Sequence, residues 1–282
     1  MQRLPILDNH LHFQWDGKNS IALKEFEKAG GTHAIFAHMP NLANPPKNAD
    51  EWKMEYDSTL RLADRMRLEV PNVTLYVTVA PYPVQLIRLV ELGKTLEEAK
   101  LSIEKGMGVA ARLFEEKRII ALGEMGRPHF PVEKNILDAC NETLEYGMRI
   151  ARDIGCPIVL HTESGGEEVF CDIARMADGC GMPREKIVKH YSSPIVGPQN
   201  HGIFPSILAD KDAICEAISV SPRFLMETDY MDDPKRPGAV LAPKTVPKRT
   251  MALFESGLFT ENDVYRIHKE NPESVYGVSF EA

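Results

Sequence analysis

The run Ile6-Leu7-Asp8-Asn9-His10-Leu11-His12 is an apolar stretch that ends in a His-x-His pair. Side chains on a β-strand alternate faces, so His10 and His12 fall on one side while Asn9 and Leu11 point to the other. Two neutral imidazoles aimed at one point supply half a coordination shell for Zn²⁺ or another borderline divalent metal. An isolated His-x-His is explained equally well as an ordinary histidine pair, so the remaining ligands decide the matter. Four more residues of ligand type close apolar runs in the same way. Glu124 follows Ile119-Ile120-Ala121-Leu122-Gly123, His161 follows Ile158-Val159-Leu160, His190 closes the strand that begins at Lys186, and Asp229 closes Phe224-Leu225-Met226-Glu227-Thr228. Four imidazoles and two carboxylates suit two divalent ions a few ångströms apart, with one carboxylate bridging them.

A fold must bring these six together. Apolar runs predict strands over residues 6–12, 32–39, 73–79, 119–124, 157–161, 186–190, 202–208 and 224–229. Between them, helical spacing marks residues 20–29, the face Tyr56, Leu60, Ala63, Met66 and Val70, and the face from Ile136 to Ile154. Residues 167–176 and 210–219 also read as helices, and two helices are expected over 245–257 and 260–277. The last opens on a Thr260-x-x-Asp263 capping pattern. The helical stretch before the fourth strand is expected to break near Gly93 and again near Gly106-Met107-Gly108. Residues 193–201 leave no room for a full helix.

Near-continuous apolar strands alternating with helices imply a parallel sheet, and eight of them imply a closed (β/α)₈ TIM barrel, one domain over residues 1–282. The rival, an open doubly wound sheet, lacks support because no Gly-x-Gly-x-x-Gly turn follows the first strand and no Walker-type loop occurs. In a barrel all six ligand-type residues lie at the C-terminal strand ends, the face on which barrel chemistry is built.

Asp8-Asn9-His10-Leu11-His12, Gly123-Glu124-Met125-Gly126, Ile158-Val159-Leu160-His161, Val188-Lys189-His190 and Glu227-Thr228-Asp229 together resemble the TatD-related hydrolases of the metal-dependent amidohydrolase superfamily. The resemblance extends to Asn271-Pro272-Glu273-Ser274-Val275-Tyr276-Gly277, which looks like the family's terminal helix. It implies a barrel and metal-dependent hydrolysis, with phosphodiester cleavage in DNA the activity most often attached to the family. By motif, His10 and His12 would hold one metal with Asp229, His161 and His190 the other, and Glu124 would bridge. Two segments depart from the family pattern: Glu124-Met125-Gly126-Arg127-Pro128-His129 after strand four and Val79-Ala80-Pro81-Tyr82-Pro83 after strand three. Both lie on substrate-facing loops, which puts DNA as substrate in doubt.

A net charge of −8 and a pI near 5.7 argue against broad adhesion to nucleic acid or anionic membrane, so phosphate binding would be local. No apolar stretch approaches a membrane span and no leader segment is visible, so a cytoplasmic protein is expected. The five scattered cysteines, with no Cys-x-x-Cys, read as reduced thiols. Arg127 and His129 would sit on the rim of the metal pocket, Arg127 as an anion clamp. Lys235, Arg236, Lys244, Lys248 and Arg249 form a basic segment free of acids from Pro234 to Arg249, which could contact substrate phosphates. His38 reads as a structural histidine, and His33 at a strand start and His268 in a surface helix are assigned no chemistry.

The expectation is therefore a metal-dependent hydrolase with a two-metal site acting on a phosphoester, either a nuclease or a small-molecule phosphodiesterase. Asp229 would orient the attacking water and take its proton. Histidine-rich ligation favours Zn²⁺, with Mn²⁺, Co²⁺, Fe²⁺ or Mg²⁺ also able to serve. The same metals could run C–O or C–N hydrolysis of a lactone, ester or cyclic amide. A non-catalytic metal-binding barrel would require a missing ligand, and none is missing. No obligate protein partner is evident.

Overall fold

In the computed structural model, which describes residues 4–281, nine strands form one parallel sheet in the order β8-β7-β6-β5-β4-β3-β2-β1-β9. The strands are β1 (Leu7–His12), β2 (His33–Ala37), β3 (Thr74–Val79), β4 (Ala121–Gly126), β5 (Ile158–His161), β6 (Ile187–Ser192), β7 (Phe204–Leu208), β8 (Leu225–Glu227) and β9 (Tyr230–Met231). β8 and β9 are one strand interrupted at Thr228-Asp229. Its first part pairs with β7 and its second with β1, which closes the ring as a TIM barrel. The expected eighth strand thus stops at Glu227, and Asp229 stands in the interruption rather than at a strand end, with φ 47°. Asp is among the few residues with a side chain that visit this left-handed region readily.

Ten α-helices cover the sheet among the described residues: α1 (Ser20–Lys28), α2 (Ala49–Glu69), α3 (Pro83–Glu91), α4 (Leu96–Glu115), α5 (Lys134–Asp153), α6 (Glu167–Cys180), α7 (Lys211–Val220), α8 (Thr245–Glu255), α9 (Glu261–Tyr265) and α10 (Asn271–Tyr276). Local signals set their ends. The Asn48 side chain accepts from the backbone N–H groups of Asp50 and Glu51 to start α2, and Thr260 and Asp263 cap α9 reciprocally as their spacing predicts. The step from β6 to β7 holds only a short 3₁₀ turn at Gly197–Asn200. Among the described residues no helix is long and apolar enough to cross a membrane.

The break expected at Gly106-Met107-Gly108 does not occur, and α4 runs straight through it. A Cβ at Gly106 would lie 2.7 Å from the Trp52 ring of α2 and from Pro81. This glycine is a packing device that lets α4 lie close to α2, where the fully buried Trp52 donates its Nε1–H to the Ser102 carbonyl at 2.8 Å. The tail also departs from two simple helices, since a π segment, Arg266–Glu270, joins α9 to α10.

That π segment carries His268, which is fully buried rather than on the surface as expected. Its Nδ1 lies 3.1 Å from the backbone nitrogen and oxygen of Leu7, and its Nε2 lies 2.9 Å from Thr250 Oγ1. Burial pulls the imidazole down to about 4, below its ordinary 6.5. The unfolded chain therefore binds a proton at pH values where the folded chain does not. The associated stability is complete above pH 6.5 and is lost as pH falls toward 4, by roughly 2 kcal/mol at pH 5. Urea midpoints at pH 7 and pH 5 should shift less in His268→Gln than in the parent protein. Equal shifts would remove His268 from the acid response.

Candidate metal centre

Five of the six ligand-type residues lie in the C-terminal halves of their strands and Asp229 in the interruption between β8 and β9, and all six converge. His10 Nε2 lies 3.2 Å from His12 Nε2 and 3.4 Å from Glu124 Oε1. His12 Nε2 is 3.8 Å from Glu124 Oε2 and 3.5 Å from Asp229 Oδ1. On the far side, Glu124 Oε1 is 3.3 Å from His161 Nδ1 and 2.8 Å from His190 Nε2, and those two nitrogens are 3.3 Å apart. Two sets, His10 with Glu124 and His190, and His10 with His12 and Asp229, each place one ligand atom per residue within 4.8 Å of the others.

Local irregularities of the sheet aim these side chains. Strand register slips between Asp8 and Leu11 in β1, between Gly123 and Met125 in β4, and between Lys189 and Ser192 in β6. Each slip brackets one ligand, His10, Glu124 or His190, and a bulge re-aims the side chain that it carries. Gly126 shows how tight the fit is: it has φ 144°, and a Cβ there would lie 2.0 Å from the His161 carbonyl oxygen. Asp229 is turned toward His12 by its left-handed backbone while its N–H donates to the His10 carbonyl at 2.9 Å.

For three of the four imidazoles the second ring nitrogen has its own partner, whereas His10 Nδ1 is buried without one among the described residues. His12 Nδ1 donates to the Ala37 carbonyl at 3.0 Å, and His190 Nδ1 donates to Glu227 Oε1 at 3.1 Å. His161 Nε2 lies 2.8 Å from His129 Nδ1 and 3.1 Å from the Tyr82 hydroxyl. Such contacts fix the tautomer and orientation of a metal-ligating imidazole. Burial alone would raise Glu124, but His190 and His10 hold its carboxyl well below the usual range. Burial alone would lower His190, and Glu124 and Glu227 hold it well above. Asp229, likewise opposed by burial, is held low by His12 and His190. Where buried carboxylates face imidazoles in this way, a divalent cation can take the place of the imidazole protons while the carboxylates stay as ligands. The donor set fits divalent metal.

Beneath the ligands runs a buried polar chain to which sequence reasoning gave no role. The Tyr276 hydroxyl donates to Asn9 Oδ1 at 2.9 Å, Asn9 Nδ2 to Ser206 Oγ at 3.0 Å, and Ser206 to Glu227, which receives His190. Asp8 accepts the backbone N–H of Thr228 at 3.0 Å and its hydroxyl at 2.6 Å, and burial pushes its carboxyl up to about 8. Lys189 is fully buried, its Nζ has no hydrogen-bond partner among the described residues, and burial pulls it down to about 8. Charged residues inside strands that the apolar pattern buries are the signal that could have found Asp8, Glu227 and Lys189.

The outer candidates fare differently. Arg127 is buried, its Nε and Nη2 donate to both oxygens of Glu163 at 2.8 and 2.7 Å, and its Nη1 donates to Asp172 at 2.6 Å. A guanidinium committed to two carboxylates is an internal brace, which replaces the anion clamp expected of it. His129 is exposed and stands against His161 on the rim. Arg236 is paired with Asp233 at 2.9 Å, and Arg249 donates to the Ala209 carbonyl at 3.2 Å. Lys235 lines a cleft beside the centre. Lys244 and Lys248 are exposed at the start of α8, and among the described residues neither forms a hydrogen bond or ion pair with the ligand cluster.

The family model for TatD-related DNases matches residues 7–277. An uncharacterized protein of Methanocaldococcus jannaschii, MJ1127, is 39% identical over 286 residues, covering 100% of this chain and 99% of its own. Among solved structures, the TatD homologue YjjV of Escherichia coli superposes with a TM-score of 0.65 at 15% identity, covering 98% of this chain and 99% of that one. The phosphotriesterase homology protein of Escherichia coli, solved with phosphate in its active site, gives 0.65 at 9% identity over 98% of this chain and 100% of that one. With a barrel closed by β9 and a metal-ready cluster on its C-terminal face, the chain belongs to the TatD-related family and is a metal-dependent hydrolase.

Proposed function

We propose that the centre holds two divalent ions and hydrolyses a phosphoester, with His10, His12 and Asp229 on one ion, His161 and His190 on the other, and Glu124 between them. The observation that carries this reading is the Glu124 carboxylate, which faces His10, His161 and His190 with Oε1 and His12 with Oε2. One carboxylate thus addresses both histidine pairs. When bound, such ions supply Lewis acidity toward a phosphoryl oxygen and a water that ionises near neutral pH. The family's association with DNA hydrolysis and the phosphate in the Escherichia coli neighbour support a phosphoryl substrate.

The chain's own residues do the rest. Asp229, held ionised by His12 and His190, accepts the proton of the attacking water. The His129 and Tyr82 contacts hold the His161 ring so that Nδ1 faces Glu124. The Glu227 contact does the same for His190.

The test is turnover of bis(p-nitrophenyl) phosphate against panels of lactones and cyclic amides, with the protein loaded in turn with Zn²⁺, Mn²⁺, Co²⁺ or Mg²⁺. Phosphodiester hydrolysis that chelation abolishes and metal restores is the expected result. Lactone or amide turnover with an inert phosphodiester would move the reaction to C–O or C–N bonds. Because Lys244 and Lys248 are solvated at the start of α8, their double alanine variant should keep KM within about twofold, as exposed charges contribute little. A large rise in KM together with a steep salt dependence would instead place substrate phosphates on that segment.

A further inference from the structure

Beside the centre lies a cleft of about 810 Å³, walled by the segments after β1 and β2 and by α2. It shares its frame with the metal ligands. Phe13 follows His12 directly, and the Ala37 carbonyl that receives His12 Nδ1 immediately precedes His38, so both residues line the cleft from strand ends that hold the centre. None of the six candidate ligands lines the cleft, so it is a separate compartment joined to the centre through the ends of β1 and β2.

The lining is apolar and acidic. Phe13, Trp15, Met39, Leu42 and Met54 provide the apolar wall. Trp15 is half exposed yet fixed, since its Nε1–H donates to Ser58 Oγ at 3.0 Å and the Arg65 guanidinium lies 4.8 Å from its ring centroid. The carboxylates lining the cleft are Asp16, Glu51 and Glu55, against Lys235 in the lining and Arg65 beside Trp15. Glu51 is occupied by the Lys47 N–H and the Asn48 amide. Glu55 is set differently. Its Oε1 accepts from His38 Nε2 at 2.9 Å, Gln85 Nε2 at 3.1 Å and the Asn41 N–H at 3.4 Å, while among the described residues none donates to Oε2. Three donors immobilise the carboxylate, and one oxygen is left for a ligand.

We propose that this cleft receives the non-reacting end of the substrate and that this end is an aryl or alkyl ammonium group. The physiological substrate is then a small phosphoester with a cationic, apolar end rather than a nucleic-acid strand. An ammonium group matches Glu55 and Asp16 in sign, and the Trp15 ring, which already carries the Arg65 guanidinium, supplies apolar contact beside them. A continuing strand would bring further phosphates against three carboxylates, where like charges repel. The proposal rests on the phosphoester reading only for the bond at the centre, since the preference of the cleft follows from its own lining.

The test is binding followed by tryptophan fluorescence. The protein has two tryptophans, and Trp52 is fully buried, so a ligand in the cleft is reported by Trp15. The metal-loaded protein is titrated with phenethylamine, 2-phenylethanol, phenylacetate and a short single-stranded oligodeoxynucleotide. Phenethylamine should bind at least about tenfold more tightly than phenylacetate, with the alcohol between them. Glu55→Gln should erase the advantage of the amine over the alcohol. Asp16→Lys, a change at an exposed position, should weaken the amine and strengthen the acid even if Glu55→Gln fails to fold. Equal binding of the three phenyl ligands, or tightest binding by the oligodeoxynucleotide, would overturn the proposal. If the amine is preferred and no phosphoester is hydrolysed with any metal, the phosphoester reading fails and the cleft assignment stands. If bis(p-nitrophenyl) phosphate is hydrolysed and the amine is not preferred, the cleft assignment fails alone.

Discussion

Glu124→Gln is expected to leave the barrel folded while lowering kcat/KM at least about a thousandfold, roughly 4 kcal/mol of transition-state stabilisation. The side chain keeps its shape, and an amide can still meet the surrounding imidazoles, so the sheet has no reason to rearrange. What it loses is the negative charge that faces His10, His161 and His190 through one oxygen and His12 through the other. Two dications side by side repel, and a neutral amide cannot offset that repulsion as a shared carboxylate does. Elemental analysis should find fewer than two ions per variant chain, alongside an unchanged circular dichroism spectrum. Two tightly held ions and near-parental turnover would end the bridging assignment.

Asp229→Asn should show the opposite pattern, with metal largely retained and kcat reduced about a hundredfold to ten-thousandfold, the range for loss of a positioned proton acceptor. The Asp229 carboxylate meets one imidazole, His12, at 3.5 Å among the described ion pairs, whereas the Glu124 carboxylate faces four. Asn also tolerates the left-handed backbone required at this position, so the interruption between β8 and β9 should survive. Metal content and single-turnover rates measured on the same preparation separate binding from chemistry. An unchanged kcat would remove Asp229 from proton transfer.

The barrel was legible because its strands are buried on both faces and therefore read as apolar runs, and the ligands were legible because each punctuates such a run. The aim of the ligands was not. It depends on one-residue slips in β1, β4 and β6 and on a left-handed residue between β8 and β9, which leave no periodic trace. Gly106 misled for a related reason, since a glycine that breaks a helix and one that lets two helices touch are the same letter, and only Trp52 across the gap tells them apart. Arg127 carried the right chemistry for an anion, but its anions, Glu163 and Asp172, belong to the chain itself. The cleft escaped notice because its parts, Trp15, Met39 and Glu55, come from three separate segments with no shared spacing.

The buried chain of hydrogen bonds from Tyr276 through Asn9, Ser206 and Glu227 to His190 bears on how the protein is made. His10 and His12 leave the ribosome early, yet the last support of the histidine opposite them sits in the final helix. During synthesis the nascent chain can offer free imidazoles to metal long before the barrel can orient them. The support beneath His190 is therefore complete only once α10 has docked. A chain cut short before α10 would keep all six ligands and lack the floor that holds His190 in place, so it would compete for metal without forming the centre.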